Sequence, residues 1–432
     1  MKSHFKAILF FFIFTCISAF PDYLVTNLGG NTVSIVDSQT GDVIGTVNDT
    51  VAPFVNPGLV VITPDGTKAF VGNAGTDTVA VVDMTTLAVT GLVNDAAGPF
   101  SQPISILITS DNSKGYVVNE GNDTVSIFDI ATLTVTGTVN DAAGPFSSPD
   151  GGEITPDGTM LFIPNDTPNT VSVVDVATDT VTGTINDVAG PFDTPEHIAF
   201  TPDGTLALVT NNSNDTVSII NVGTQTVTGL INDAVFLFSS PKVVAISPDG
   251  TTALITNQGT NTVSIVDIGT QTTTGFVNDP PITFNIPFGV TISPDGTQAF
   301  VANSGGNSVS IIDMTTLTVT GTVDDTISAF NNPVWIEFIV APMADFTVMG
   351  KTGRDSFLTE TNSFVKLSWT SSSNETFNIY RDSKLVGTVR GQGPLKFTDN
   401  NLKSKKTYTY RVVALSSSGG ALSEGVLKVK AR

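Results

Sequence analysis

Residues 31–37 read Asn-Thr-Val-Ser-Ile-Val-Asp, "NTVSIVD", and related heptads begin at Asp77, Asp123, Asn169, Asp215, Asn261 and Asn307. Each interval is 46 residues, without an insertion or deletion. A turn, "PDG", keeps the same step, with its proline at Pro64, Pro156, Pro202, Pro248 and Pro294; the remaining copy has decayed to "SDN" at Ser110. A third element, F-x-x-P, recurs at Phe54, Phe100, Phe146, Phe192, Phe238, Phe284 and Phe330. Self-similarity at one fixed period is the signature of a repeat architecture.

Within a repeat, "GLVVIT", "KAFVGN", "DTVAVVDM" and "LAVTGLVND" read as four short strands, rich in Val and Thr and punctuated by Gly, Pro, Asn and Asp. No stretch of the repeats carries sustained helical periodicity. Four strands per unit of about 40–50 residues, repeated radially, make a propeller blade. The fold class expected is all-β, a seven-bladed β-propeller with four-stranded blades, followed by an immunoglobulin-like sandwich. The ends predict how the ring closes. The first strand after the N-terminal segment is "YLVTN" (Tyr23–Asn27), which is the second strand of a blade, and the last repeat stops after its first, "VWIEFI" (Val334–Ile339). The late strand supplies the innermost strand of the first blade, which leaves no sheet open between the ends of the ring.

The tetrapeptides "LVTN" at Leu24 and Leu208, "LITN" at Leu254, "YVVN" at Tyr116 and "FVAN" at Phe300 each lie near an "NTVS"-type heptad. In these motifs residues 23–339 resemble the YVTN family of β-propeller repeats. The resemblance implies an extracytoplasmic or surface-layer protein, with one periplasmic branch associated with DNA binding.

The opening "MKSHFKAILFFFIFTCISAF" has Lys2 and Lys6 before an apolar run and small residues at Ser18 and Ala19, the pattern of a signal peptide cleaved after Ala19. The run is roughly 13 residues, against about 20 for a membrane-spanning helix, so no transmembrane segment is expected in the mature protein. Cys16 is the only cysteine, and cleavage removes it, which excludes disulfides and thiolate chemistry. From Phe20 to Pro342 there are 33 acids, three lysines (Lys68, Lys114, Lys242) and no arginine, whereas from Met343 to Arg432 there are 14 bases and seven acids. The expected division is therefore a signal peptide at 1–19, a propeller at 20–342 and a separate basic module at 343–432. That module alternates in "FVKLSWT" and "TYTYRVVALS" and resembles a fibronectin type III domain, which implies core roles for Trp369 and Tyr408 and a spacer or adhesive function.

Most Asp and Asn residues have turn explanations, including the series Asp49, Asp95, Asp141, Asp187, Asp233, Asp279 and Asp325 after the outer strands. No phosphate loop, haem site, nucleophile elbow or metal-spaced histidine pair occurs, so no cofactor and no metal are expected. Nucleic acid is not expected on so acidic a propeller, while the basic module is expected to touch anionic envelope polymers weakly.

The innermost strands align position by position. Val60, Ile106, Ile198, Val244, Val290 and Ile336 are apolar and predicted to face between blades; with period two, the alternate positions face the axial channel. One channel layer is then Leu59, Ser105, Gly151, His197, Val243, Gly289 and Trp335, and the next is Val61, Leu107, Glu153, Ala199, Ala245, Thr291 and Glu337. A third would be Thr63, Thr109, Thr155, Thr201, Ser247 and Ser293. Candidate ligand contacts at the channel mouth are His197, Trp335, Glu153, Glu337, Glu196, Lys242 and Phe288; no catalytic residue is assigned.

The leading expectation is a secreted, periplasmic or cell-surface binding or scaffold protein, non-enzymatic, that recognises a protein, glycan or small molecule. The alternative is a propeller enzyme, lyase or lactonase, working on a small substrate in the channel, with Glu153 or Glu337 as acid or base and His197 assisting.

Overall fold

Val, Ile and Thr prefer extended backbone because a branched Cβ restricts χ1 and packs well on a pleated surface. The computed structural model describes residues 22–339, less 39, 187–191, 232–237, 278–283 and 325–329, and residues 349–430, less 358–359, 382–383, 403–406 and 416–420. The expected signal peptide, Cys16, the domain boundary near 342 and the aspartates at 187, 233, 279 and 325 lie outside the described residues, as does the side chain of Trp369.

Residues 22–339 form seven antiparallel sheets of four strands each, six of them built from consecutive strands. The seventh joins Pro333–Phe338 to Tyr23–Asn27, followed by Thr32–Val36 and Val43–Thr46. Tyr23 pairs with Phe338, Leu24 with Glu337 and Val25 with Ile336. The seven-bladed ring and its closure by the two ends are as the sequence predicts. Among the described residues no helix is long and apolar enough to cross a membrane.

The apolar core lies between neighbouring blades, as successive clusters rather than one centre. One cluster joins Tyr23, Val25 and Phe338 of the closing blade to Phe300 and Val309 of its neighbour. The seven F-x-x-P phenylalanines are all buried, the most exposed at 4%, so the loop that enters each blade is anchored by one aromatic side chain.

Polar side chains then fix the geometry. The asparagine that ends each second strand is wholly or almost wholly buried, as at Asn73, Asn165 and Asn211. In six of the seven blades its amide donates to the serine of the heptad, for example Asn165 Nδ2 to Ser172 Oγ at 2.9 Å and Asn211 Nδ2 to Ser218 Oγ at 2.9 Å. The residue that opens each heptad sits in left-handed backbone, with φ from 50° at Asn307 to 63° at Asn169, a conformation that Asn and Asp tolerate better than most residues. Its carboxyl or amide oxygen accepts the backbone N–H of the residue 25 positions on, at the entry to the next blade: Asn56 N–H to Asn31, Gln102 to Asp77, and so round to Asn332 and Asn307. The fixed heptad spacing is thus a staple between blades.

One channel assignment is corrected. The Thr63 series does not line the channel. Its members are buried, and each hydroxyl donates to the aspartate two residues on, as in Thr63 to Asp65 at 2.6 Å and Thr201 to Asp203 at 2.6 Å. A hydroxyl at the start of a tight turn is recruited to close it, and that local bond overrides the period-two projection.

Replacing Asn211 with Ala removes donors to Thr216 and Ser218, at 3.1 and 2.9 Å. A buried hydrogen bond contributes about 1 kcal/mol and stranded partners cost more, so we expect Asn211→Ala to destabilise the propeller by about 2–3 kcal/mol. Thermal denaturation checks this; an unchanged midpoint would show that the network is dispensable.

Residues 349–430 form one five-stranded antiparallel sheet. Its two longest strands are Glu360–Arg381, which extends well beyond the "FVKLSWT" stretch on both sides, and Lys384–Leu402. Tyr408 packs in the core with Val365, Leu367, Phe377 and Ile379, in keeping with its predicted structural role. Asp399 is held by Arg381 at 2.8 Å and by the Tyr410 hydroxyl at 2.7 Å.

Candidate active channel

A repeated irregularity sets the site. In six of the seven blades the innermost strand begins at the F-x-x-P proline, and there the register slips: Pro195 faces Asn211 but Ile198 faces Val209, and the same occurs between Pro57 and Val60, Pro241 and Val244, and Pro287 and Val290. Glu196 and His197 therefore oppose the single residue Thr210, which is a β-bulge. Two threonine hydroxyls support these bulges: Thr210 Oγ1 accepts the His197 N–H at 3.1 Å and donates to the Lys242 carbonyl at 2.9 Å, and Thr256 Oγ1 donates to the Phe288 carbonyl at 2.7 Å. A bulge breaks the alternation of faces, so Gly58 and Leu59, Glu196 and His197, and Lys242 and Val243 all line the channel mouth.

The channel is two cavities meeting at one ring of residues. The outer, of about 350 Å³, is lined by Glu120, Asp150, Asp166, Glu196, Lys242 and Phe288 among others. The inner, of about 410 Å³, is lined by Glu153, Glu337, Leu107, Ala199 and Ala245, with Pro156 and Pro202 of the turns also on its wall. His197 and Trp335 line both, together with Leu59 and Gly151. Although three blades apart in the ring, the two rings meet across the channel, with centroids 5.8 Å apart and planes at 44°. All seven candidate residues are thus brought together on one channel. His197 and Trp335 stand at the constriction, Glu153 and Glu337 beneath it, and Glu196, Lys242 and Phe288 above. Of the other predicted channel positions, Ser105 and Ala199 line the inner cavity and Val243 the outer, each with little of its surface exposed.

The sequence reading missed Glu120, Asp150 and Asp166. Asp150 occupies the position after the F-x-x-P proline, as do Glu196, Lys242 and Phe288, so aligning that position across blades would have found it. Glu120 and Asp166 follow the conserved asparagine, a second variable position in each repeat.

Electrostatics divide the two cavities. In the outer one, Lys242 Nζ pairs with Glu196 Oε2, lies 3.6 Å from Asp150 Oδ2 and sits 5.2 Å from the centre of the Phe288 ring. Burial and then the Asp150 charge raise the Asp166 carboxyl to about 6, and burial and Asp150 likewise raise Glu120. In the inner cavity burial dominates. Glu153 is pushed up to about 8, although its Oε2 accepts the Phe200 N–H at 3.2 Å. Glu337 is pushed up to about 7 by burial, against the opposing pull of the Ile62 N–H and the Trp335 side chain. His197 is pushed down to about 4 by burial, so its imidazole is neutral at neutral pH, and its Nδ1 is buried without a hydrogen-bond partner.

The blade that carries Glu153 departs from the others. Its innermost strand is only Glu153–Ile154, preceded by Gly151 at φ 51° and Gly152 at φ 134°. A Cβ on Gly151 would lie 2.9 Å from the Glu196 carbonyl oxygen. We expect Gly151→Ala to cost about 1–3 kcal/mol, from left-handed strain and overpacking, and to displace Glu196. A melting midpoint equal to the parent's would show that this backbone is not constrained. Among the described residues no group of three or more His, Cys, Asp or Glu side chains is arranged to hold a metal ion.

Residues 55–244 match the family model described as lactonase, 7-bladed beta-propeller. No curated protein sequence matches the chain. Among solved structures, the Pseudomonas aeruginosa periplasmic gluconolactonase PpgL superposes with a TM-score of 0.59 at 18% identity, covering 74% of this chain and 99% of that one. A Bacteroides fragilis protein provisionally named a 6-phosphogluconolactonase gives 0.57 at 18% identity, covering 75% and 99%. The Kuenenia stuttgartiensis hydrazine synthase gives 0.51 at 22% identity, covering 60% of this chain and 76% of that one. At these identities the likeness establishes the propeller and nothing of its chemistry.

Proposed function

We propose that the axial channel is the active site of a lactonase-type hydrolase, which opens a small cyclic ester with water. The observation that carries this reading is the pair of carboxyl groups in the inner cavity, Glu337 and Glu153, both moved by burial towards neutrality. Perturbed acids converging on one cavity are a mark of functional sites, and a scaffold has no need of them. The lactonase model match supports the reading, because the matched span, 55–244, includes Glu153, Glu196, His197 and Lys242.

Hydrolysis forms a bond from water oxygen to the ester carbonyl carbon and breaks the ring C–O bond. A base must take the water proton and an acid must supply one to the departing alkoxide. Glu337, half-ionised near pH 7, serves as the base, and Glu153, still protonated there, as the acid. Neutral His197 and Trp335, in contact with each other, wall the site beside the two carboxyl groups. The sequence-based expectation of a non-enzymatic binding protein is less well supported than this alternative. The protein works outside the cytoplasm in our reading, with residues 343–432 as a fibronectin-like spacer.

The test is a pH-stat assay of a panel of five- and six-membered lactones, with Glu337→Gln as the control. Turnover lost in that variant supports the reading; no turnover of any panel member overturns it.

A further inference from the structure

We propose that the outer cavity is an ammonium-selecting vestibule, so that the preferred substrate carries a positively charged amine and a phosphorylated one is rejected. This rests on reading the channel as the route to the reacting carboxyl groups, and it names the substrate class which that reading leaves open.

Phosphate recognition uses clustered Lys and Arg with free donors. The propeller has no arginine. Lys242, the cation of the outer cavity, is already engaged by Glu196, Asp150 and the Phe288 ring. Four carboxylates, Glu120, Asp150, Asp166 and Glu196, face that one ammonium. A dianion entering here would displace an existing ion pair and meet the remaining charge.

The same inventory suits an amine. The Asp166 Oδ1 atom is buried and accepts no hydrogen bond, so a buried acceptor is left for a donor to satisfy. At the floor the His197 Nδ1 is likewise buried and unpaired, and it belongs to a different blade from Glu120 and Asp166, so the two unsatisfied groups are independent. Two aromatic rings, Phe288 and Trp335, line the same cavity, and an aromatic face attracts a cation by its quadrupole. The protein's own Lys242 shows the arrangement at work: an ammonium held between carboxylates and over a phenylalanine. Burial first, and then the Asp150 charge, raises the Asp166 and Glu120 carboxyl groups; a bound cation would relieve the second of these.

The test measures binding without turnover, so that it stands apart from the hydrolase reading. Glucosamine, glucose and glucose 6-phosphate are compared on the full chain by calorimetry and by tryptophan fluorescence, at low and at high salt. The expected result is glucosamine bound at least about 10-fold more tightly than glucose, with no measurable binding of the phosphate. The advantage should shrink in high salt and vanish in Asp150→Asn/Asp166→Asn. The double variant's thermal midpoint is measured alongside, and a folded variant that keeps the preference overturns the proposal. So does equal binding of glucosamine and glucose by the parent, or tightest binding of the phosphate. If glucosamine is preferred but no lactone is hydrolysed, the vestibule stands and the hydrolase reading falls. If lactones are hydrolysed with no preference for an amine, the reverse holds.

Discussion

A chain ending at Asn332 is expected to lose its cooperative thermal transition, while one ending at Pro342 keeps it. The strand Pro333–Phe338 is the innermost strand of the blade begun by Tyr23–Asn27. Without it, that blade has three strands and an open inner edge. Ile336 and Phe338 are 2% and 7% exposed, and truncating a buried Ile or Phe side chain costs about 2–5 or 3–5 kcal/mol respectively. The Phe338 ring also closes a triangle with Tyr23 and Phe300, at 6.0 and 5.5 Å, the two being 4.8 Å from each other. Summed with the lost ladder, the penalty is comparable to the whole stability of a typical domain, about 5–15 kcal/mol. Scanning calorimetry of the two truncated chains decides the matter. A sharp transition at the parent midpoint in the chain ending at Asn332 would refute closure by these strands.

Glu337→Gln is expected to lower kcat on a hydrolysed lactone by about 10²–10⁴-fold, the usual contribution of a general base, with the fold intact. Glutamine keeps the shape and stays uncharged, and the buried carboxyl is already neutral below pH 7. The parent rate should rise as Glu337 loses its proton near pH 7 and fall as Glu153 loses its own near pH 8. The rising limb should be missing in Glu337→Gln. Stability carries the same signature with a definite sign. Both carboxyl groups hold their protons to higher pH when folded than when unfolded, so the folded state binds more protons above the ordinary glutamate range. Stability therefore falls as pH climbs from there through about 7 and 8. Glu153→Gln should flatten that fall. An unchanged pH–rate profile in Glu337→Gln would assign the base elsewhere.

The channel shows where period counting succeeds and where it stops. His197, Trp335, Glu153 and Glu337 were legible because the innermost strands are short, repeated and strictly in register, so parity along one strand could be read against the others. Thr63 and its counterparts obeyed the same parity and were misplaced, because a hydroxyl beside a "PDG" turn gains more from the turn aspartate than from the channel. Asp150, Glu120 and Asp166 were invisible to strand parity, since they lie at strand entries and turns.

What the sequence by itself determined is the ring: seven copies at 46 residues, four strands in each, and ends that complement one another. These are local and periodic properties, and period, turn chemistry and β-branched composition all point to one answer. What only the tertiary structure decided is the site. The bulge at the start of an innermost strand turns consecutive residues such as Glu196 and His197 towards the same mouth, which no alternating pattern predicts. Closure of the ring brings His197 and Trp335, 138 residues apart in the chain, to within 5.8 Å. Burial in the narrow channel, a property of the assembled ring rather than of any residue, moves the two glutamates towards neutrality.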